Sequence, residues 1–193
     1  VEKLEVKRAL FAELDQICKP GAIMASNTSA LDVNEIASAT SRPESVIGMH
    51  FFNPATIMKL VEVVNTPFTN QQTTATVLDL AFQMNKVPVL CRDSPGFIVN
   101  RVARPYYIEA LRLVEEKQAD LMQVDRLMEA TGFRMGPFRL MDLIGNDINY
   151  SVSCSVYEQM NKLERLKPSF IQEEKVQAGK LGKKSGEGYY KYD

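Results

Sequence analysis

The sequence contains no tryptophan, one histidine and few cysteines, and its charges nearly cancel. Cys18, Cys91 and Cys154 are too few and too scattered for a disulfide scaffold or a zinc site. The net charge of −1 argues against a nucleic-acid partner, because phosphate binding needs a basic face. No apolar run approaches the roughly 20 residues that cross a bilayer, which argues against a membrane protein. These absences favour a globular protein in a reducing compartment.

The chain also lacks a methionine at its start and a cap before its first helix. Val1-Glu2-Lys3-Leu4 already follows a helical pattern, and no signal peptide precedes it. A natural domain seldom opens inside a helix. We therefore expect the chain to be the later part of a longer protein.

Residues 1–93 predict an α/β domain. Apolar runs predict four strands, over 22–25, 46–50, 59–64 and 87–91, and periodic segments predict helices over 2–18, 33–39 and 70–84. This order predicts a sheet that is largely parallel at its start. Its strands would end near Ser26, His50 and Asp93. Sites form at the carboxyl ends of strands in open α/β sheets, so we expect a site there.

Residues 94–193 predict an all-helical domain, with the boundary near Asp93. Pro95, in the sequence Asp-Ser-Pro-Gly, is expected in the first turn of a long helix that ends near residue 117. Asp120 would cap a second helix. A third is expected over 138–161 with a break near Gly145, and a fourth over 169–178. No strand-like run follows Cys91.

One stretch combines two groups suited to proton transfer. It is IGMHFFNPATIMKLVEVVN, residues 47–65, which contains the single histidine, His50, and one acid, Glu62. Imidazole has the side-chain pKa nearest neutrality, and a carboxylate one strand away could hold its second nitrogen. A lone histidine at a strand end is more often structural, and Glu62 could face solvent. Our hypothesis is a His–Glu catalytic pair.

Four motifs resemble those of one enzyme family in order and spacing. SNTSAL, GMHFFNP, KLVEVV and DSPGFIVNR closely resemble the 3-hydroxyacyl-CoA dehydrogenase family, its 3-hydroxybutyryl-CoA dehydrogenase-like members included. The similarity continues through residues 135–138 and 143–147 and the tail GKKSGEGYY. The resemblance implies the C-terminal part of a Rossmann-type NAD-binding domain, followed by a helical domain that makes a homodimer. It also implies NAD-dependent, reversible oxidation of (S)-3-hydroxyacyl-CoA to 3-ketoacyl-CoA, in β-oxidation or butanoate-type metabolism.

The resemblance assigns roles to single residues. His50 matches the family's general base and Glu62 the acid that orients it. Ser29 matches the serine that hydrogen-bonds the substrate oxygen near the nicotinamide, and Asn100 matches the asparagine that holds the acyl-CoA carbonyl. The positions that match the dinucleotide site are Glu2, Lys7, Asn27, Ser29 and Lys184. By pattern alone, both lysines resemble ordinary surface residues.

The sequence departs from the family in one large respect. No G-x-G-x-x-G occurs in the 193 residues, and the acid for the adenosine ribose is missing with it. That motif brings backbone N–H groups against the pyrophosphate. We therefore expect the chain alone to bind NAD poorly and to be inactive.

Other interpretations stay open at this point. The chain could be a non-catalytic dimerisation fragment, or a related β-hydroxyacid dehydrogenase with a catalytic lysine, against which the histidine of GMHFFNP argues. It could also come from a protein fused to a hydratase domain. The cytoplasm is the expected compartment, with the mitochondrial or peroxisomal matrix as the alternative.

Overall fold

The computed structural model describes residues 2–192, so Val1 and Asp193 lie outside the described residues. The chain divides into two compact units, one that ends at Ile98 and one that begins at Val99. The first unit is α/β and the second is helical, which confirms the predicted fold class. The division lies beyond the predicted boundary at Asp93.

Among its described residues, the first unit is a four-stranded sheet with three α-helices and one short 3₁₀ helix. The strands lie in chain order: β1 (Met24–Ser26), β2 (Val46–Phe51), β3 (Leu60–Asn65) and β4 (Val87–Arg92). The α-helices are α1 (Leu4–Ile17), α2 (Val33–Ala37) and α3 (Gln71–Gln83). Strands β1 and β2 are parallel, β2 and β3 antiparallel, and β3 and β4 parallel.

Local signals explain where two of these helices begin. The Asp32 side chain accepts the backbone N–H of Glu35 at 3.0 Å, and Asn70 accepts that of Thr73 at 2.7 Å. Such caps satisfy N–H groups that have no partner inside the helix. The apolar residues of β2 and β3 then pack against α3, and the centre of this cluster consists of Ile47, Met49, Val61, Val63, Val77 and Ala81.

The strand directions correct the prediction that Ser26, His50 and Asp93 lie at the same end of the sheet. His50 lies opposite Glu62, and Glu62 lies opposite Val89. Because β3 and β4 are antiparallel to β2, Asp93, which follows β4, lies at the opposite end of the sheet from His50. The connection between β2 and β3, residues 52–59, is shorter than the dozen or so residues that a parallel crossover needs. The length of this loop therefore indicates that β3 is antiparallel to β2.

The second unit contains five α-helices and two short 3₁₀ helices among its described residues. The α-helices are α4 (Val99–Glu115), α5 (Leu121–Ala130), α6 (Pro137–Ile144), α7 (Asn146–Gln159) and α8 (Phe170–Gln177). Gly145, with a φ of +104°, separates α6 from α7 at the predicted break. The core of the second unit is centred on Tyr107, Leu111, Phe138 and Met141. Asp120 and Gln123 form a reciprocal capping box at the start of α5.

The start of α4 differs from the prediction. Residues 95–98 form a turn, and the helix begins at Val99. Gly96 and Phe97 have φ angles of +71° and +49°, which a right-handed helix does not allow. Pro95-Gly96 is therefore a turn signal here and not a helix start.

No helix within residues 2–192 combines the length and the apolar character that crossing a membrane requires.

Candidate active site

His50 and Glu62 are directly opposite each other on the antiparallel strands β2 and β3. Residues opposite each other on adjacent strands project to the same face of a sheet. The His50 Nδ1 lies 2.7 Å from the Glu62 Oε2. His50 is 4% exposed and Glu62 is 1% exposed, so Glu62 does not face solvent. With Glu62 ionised, Nδ1–H is the donor, which leaves Nε2 as the ring nitrogen that can accept a proton.

The pair has further partners in the first unit. The backbone N–H of Ile98 donates to the Glu62 Oε1 at 2.9 Å, so both carboxylate oxygens accept hydrogen bonds. The rings of Phe52 and Phe97 have centroids 4.6 Å and 5.8 Å from that of the imidazole. A buried carboxylate is costly unless it is paired and hydrogen-bonded, and these contacts satisfy that requirement.

The loop that follows β1 places polar groups at the same end of the sheet as His50. Strand β1 is parallel to β2 with Ser26 opposite Gly48, so residues 27–30 leave the sheet where His50 lies. The Lys7 Nζ donates to the Ser26 Oγ at 3.3 Å and to the Asn27 carbonyl at 2.9 Å. The Asn27 Oδ1 accepts the backbone N–H of Phe51 at 3.2 Å, which ties this loop to the end of β2.

Glu2 holds the other half of that loop. Its Oε1 accepts the Thr28 hydroxyl, the Ser29 N–H at 2.7 Å and the Ala30 N–H at 3.3 Å. Its other oxygen lies 4.0 Å from the Lys7 Nζ. Lys7 is therefore a partly buried tie between α1 and the loop, unlike the ordinary surface lysine that its pattern suggested.

Two of the predicted site residues belong to the second unit. Asn100 lies in the first turn of α4, where its carbonyl accepts the Arg104 Nε–H at 3.0 Å. Lys184 lies in the C-terminal tail and donates to the Asp147 Oδ2 at 2.7 Å. The structure thus brings Glu2, Lys7, Asn27, Ser29, His50 and Glu62 into one unit and places Asn100 and Lys184 in the other.

The sequence did not single out Phe97, and it placed Asp93 at the same end of the sheet as His50, whereas Asp93 lies at the opposite end. The Asp93 Oδ2 accepts the backbone N–H of Asn34 at 2.7 Å. Burial, together with the neighbouring Asp32 carboxylate, raises the pKa of Asp93 to about 7, even though its backbone hydrogen bonds act in the opposite direction. Both residues belong to the motif DSPGF. Its Pro-Gly step was the signal that a turn, with side chains in fixed positions, stands before α4.

Two family models match consecutive parts of the chain. The family model described as "3-hydroxyacyl-CoA dehydrogenase, NAD binding domain" matches residues 1–94. The model described as "3-hydroxyacyl-CoA dehydrogenase, C-terminal domain" matches residues 96–192.

Individual relatives give the same result. The chain is 48% identical over 190 residues to 3-hydroxyadipyl-CoA dehydrogenase of Escherichia coli (strain K12), covering 98% of this chain and 40% of that protein. It is 44% identical over 193 residues to the mitochondrial hydroxyacyl-coenzyme A dehydrogenase of Sus scrofa, covering all of this chain and 62% of that protein. The crystal structure of 3-hydroxybutyryl-CoA dehydrogenase from Escherichia coli K12 matches with a TM-score of 0.95 and 47% identity, covering 100% of this chain and 41% of that one. The chain spans about two fifths to three fifths of the length of the two curated relatives. It belongs to the 3-hydroxyacyl-CoA dehydrogenase family.

Proposed function

We propose that this protein oxidises (S)-3-hydroxyacyl-CoA to 3-ketoacyl-CoA, reversibly, with NAD. The observation that carries the proposal is the buried hydrogen bond of 2.7 Å between His50 and Glu62 at the end of β2. Both family models support it, since their descriptions name a 3-hydroxyacyl-CoA dehydrogenase. The single histidine of GMHFFNP favours this reaction over that of a lysine-based β-hydroxyacid dehydrogenase.

The residues of the first unit suit part of a dinucleotide site. The loop after β1 offers amide and hydroxyl groups at the carboxyl end of a strand, where dinucleotides bind in Rossmann-type sheets. Glu2, Lys7, Asn27 and Ser29 are the residues that we assign to NAD in this unit, and Lys184 is the one that we assign in the second. NAD, when bound, supplies the hydride acceptor.

His50 is the proposed proton acceptor. Oxidation of a secondary alcohol needs the hydroxyl proton to leave as hydride leaves the same carbon. The Nε2 of His50 takes that proton, and the Glu62 carboxylate on Nδ1 lowers the cost of forming imidazolium. In the low dielectric of a buried site this support is stronger than in water. In the reverse reaction, protonated His50 is the acid.

Ser29 and Asn100 are the proposed substrate contacts. The Ser29 hydroxyl keeps the substrate oxygen aligned while the charge on that oxygen changes. The Asn100 amide, in the second unit, holds the acyl-CoA carbonyl. Neither residue exchanges a proton in this scheme, so their replacement should weaken alignment and leave the acid–base chemistry to His50.

We also propose that the protein is a homodimer through its helical unit, in a reducing compartment such as the cytoplasm or the mitochondrial matrix. Large apolar side chains that remain exposed on this unit support the dimer, among them Val102, Leu127, Ile148 and Phe170. Free cysteines at positions 18, 91 and 154 suit a reducing compartment.

The reduction of acetoacetyl-CoA by NADH tests the proposed function. The full-length gene product is expected to consume NADH with this thioester and to sediment as a dimer. The 193-residue chain, assayed beside it, is expected to show no turnover because it contains no G-x-G-x-x-G. Turnover of hydroxy acids without CoA, and none of the thioester, would contradict the proposal.

A further inference from the structure

The turn from Ser94 to Ile98 has an unusual backbone. Gly96 and Phe97 both lie in the left-handed region, with φ angles of +71° and +49°. Glycine adopts this conformation readily, whereas a bulky residue does so only when its surroundings compel it. The Phe97 N–H donates to the Ser94 carbonyl at 2.9 Å and closes the turn.

The core of the first unit supplies those surroundings. Phe97 is 3% exposed and packs in a buried cluster with Val33 and Val64, with Cys91 against it. These residues come from α2, β3 and β4, so three elements hold the ring in place. The left-handed conformation of Phe97 is thus maintained by burial of its side chain.

Consecutive residues of this turn contact both members of the His–Glu pair. The Phe97 ring lies against the His50 imidazole, with centroids 5.8 Å apart and planes tilted by 58°. The next residue, Ile98, donates its backbone N–H to the Glu62 Oε1 at 2.9 Å. The Glu62 Oε2 is the oxygen that faces the His50 Nδ1 at 2.7 Å.

This arrangement restrains the pair in two ways. A carboxylate with a hydrogen bond at each oxygen cannot rotate freely, so the imidazole that it holds is also oriented. His50 is 4% exposed and the rings of Phe97 and Phe52 lie beside its imidazole, which limits the access of water to the hydrogen bond with Glu62. Loss of the Phe97 ring removes one wall and loosens the turn that carries the Ile98 N–H.

We propose that Phe97 is a positioning residue for His50, acting through the imidazole contact and through the hydrogen bond from Ile98 to Glu62. The value of this orientation for catalysis rests on the proposed function. The orientation itself is a property of the fold, and it is measurable without turnover.

Nitrogen-15 NMR of the imidazole tests this proposal in the chain itself. His50 is the only histidine, so labelled histidine reports on this residue alone. In the unsubstituted chain we expect one tautomer, protonated at Nδ1, with slow exchange of that proton with water. In Phe97→Ala we expect a mixture of tautomers and at least about tenfold faster exchange of the Nδ1 proton, because local opening exposes the bond.

Two further variants make the result specific. Phe82→Ala removes an exposed ring from α3 and should leave both the tautomer and the exchange rate unchanged. Phe97→Leu keeps an apolar side chain in the core, and we expect a smaller acceleration, at least about threefold. If Phe97→Ala fails to fold, Phe97→Leu decides the question.

A folded Phe97 variant with the tautomer and exchange rate of the unsubstituted chain would overturn the proposal. Failure of the proposed function is a different result: the full-length gene product would be inactive toward acyl-CoA, while the His50 signals responded to Phe97 as expected.

Discussion

At the scale of single residues, the main feature is a histidine whose hydrogen bond leaves one nitrogen available for chemistry. Glu62 accepts from His50 on one oxygen and from the Ile98 N–H on the other. Removing one partner from a buried pair of this kind costs more than the pair contributes, because the remaining group stays buried and unpaired. The site is therefore a place where small substitutions have large effects.

Asp93 leads to a prediction about pH at the same scale. Its pKa is raised from the ordinary value of 3.8 to about 7, through burial and the charge of Asp32. Between these two values the folded chain holds a proton that the unfolded chain has released. The free energy of unfolding therefore falls as pH rises from about 4 to about 7. The stabilisation that comes from protonation of Asp93 is fully present only below the pKa of the unfolded chain, and it is lost as pH rises through the folded pKa.

The variant Asp93→Asn, which cannot ionise, tests this pH dependence. We expect a flatter dependence of stability on pH, and a gain of about 1–2 kcal/mol at pH ~8 after allowance for partial exposure. Urea unfolding at pH ~5 and pH ~8 measures both. Asp79→Asn, at an exposed position of α3, is the control and should change neither. An unchanged slope in Asp93→Asn would show that Asp93 does not titrate in this range.

Residue roles were predictable to different degrees. The pairing of His50 with Glu62 was accessible from the sequence because each lies in a clear apolar run and the two runs are adjacent. The ties of Lys7 and Glu2 to the loop after β1 were not accessible, because they depend on contacts between segments 20 and 27 residues apart. Only the family resemblance singled out these two residues.

At the scale of elements, local chemistry predicted the helices well. Asp32, Asn70, Asp120 and Ser169 each accept a backbone N–H at the start of a helix, as cap residues do. Apolar periodicity does not report strand direction, however. The antiparallel pairing of β2 and β3 could be predicted only from the length of the loop that connects them. The predicted start of α4 was wrong because proline suits both a first helical turn and a tight turn.

A second element, the C-terminal tail, has several of its contacts at one buried carboxylate. Asp142 on α6 accepts the backbone N–H groups of Tyr189 and Tyr190, each at 2.9 Å. The hydroxyl of Tyr192 donates to it at 2.9 Å. A Cβ built on Gly188 would lie 2.0 Å from the Asp142 Oδ1. The tail can approach α6 this closely only because position 188 has no side chain.

Gly188→Ala is therefore expected to lower the free energy of unfolding by about 2–3 kcal/mol, through a clash with a buried group that cannot move freely. Gly179→Ala is the comparison, since nothing lies within 4 Å of its added Cβ and its φ is +70°. That variant should lose only about 1 kcal/mol, the cost of a left-handed backbone. Urea unfolding of both variants measures the difference, and equal losses would argue against a close anchor at Asp142.

At the scale of the whole molecule, two units with separate cores divide the proposed roles. The proton-transfer pair and most of the proposed NAD contacts lie before residue 99, whereas Asn100 and Lys184 lie after it. The sequence predicted this division because alternating strands and helices give way to helices alone. It could not predict the contacts that each proposed residue makes within its unit, since these depend on tertiary structure.

In the proposed mechanism, His50 transfers the proton in the oxidation of a 3-hydroxyacyl-CoA. The most direct measurement is the turnover of acetoacetyl-CoA and NADH by the full-length gene product carrying His50→Gln. Glu116→Gln, at an exposed position of the helical unit, serves as the control. We predict that His50→Gln lowers kcat by at least about 100-fold, the usual scale of general acid–base catalysis, while the control keeps the unsubstituted rate. Near-normal turnover in a folded His50→Gln variant would show that His50 does not transfer the proton.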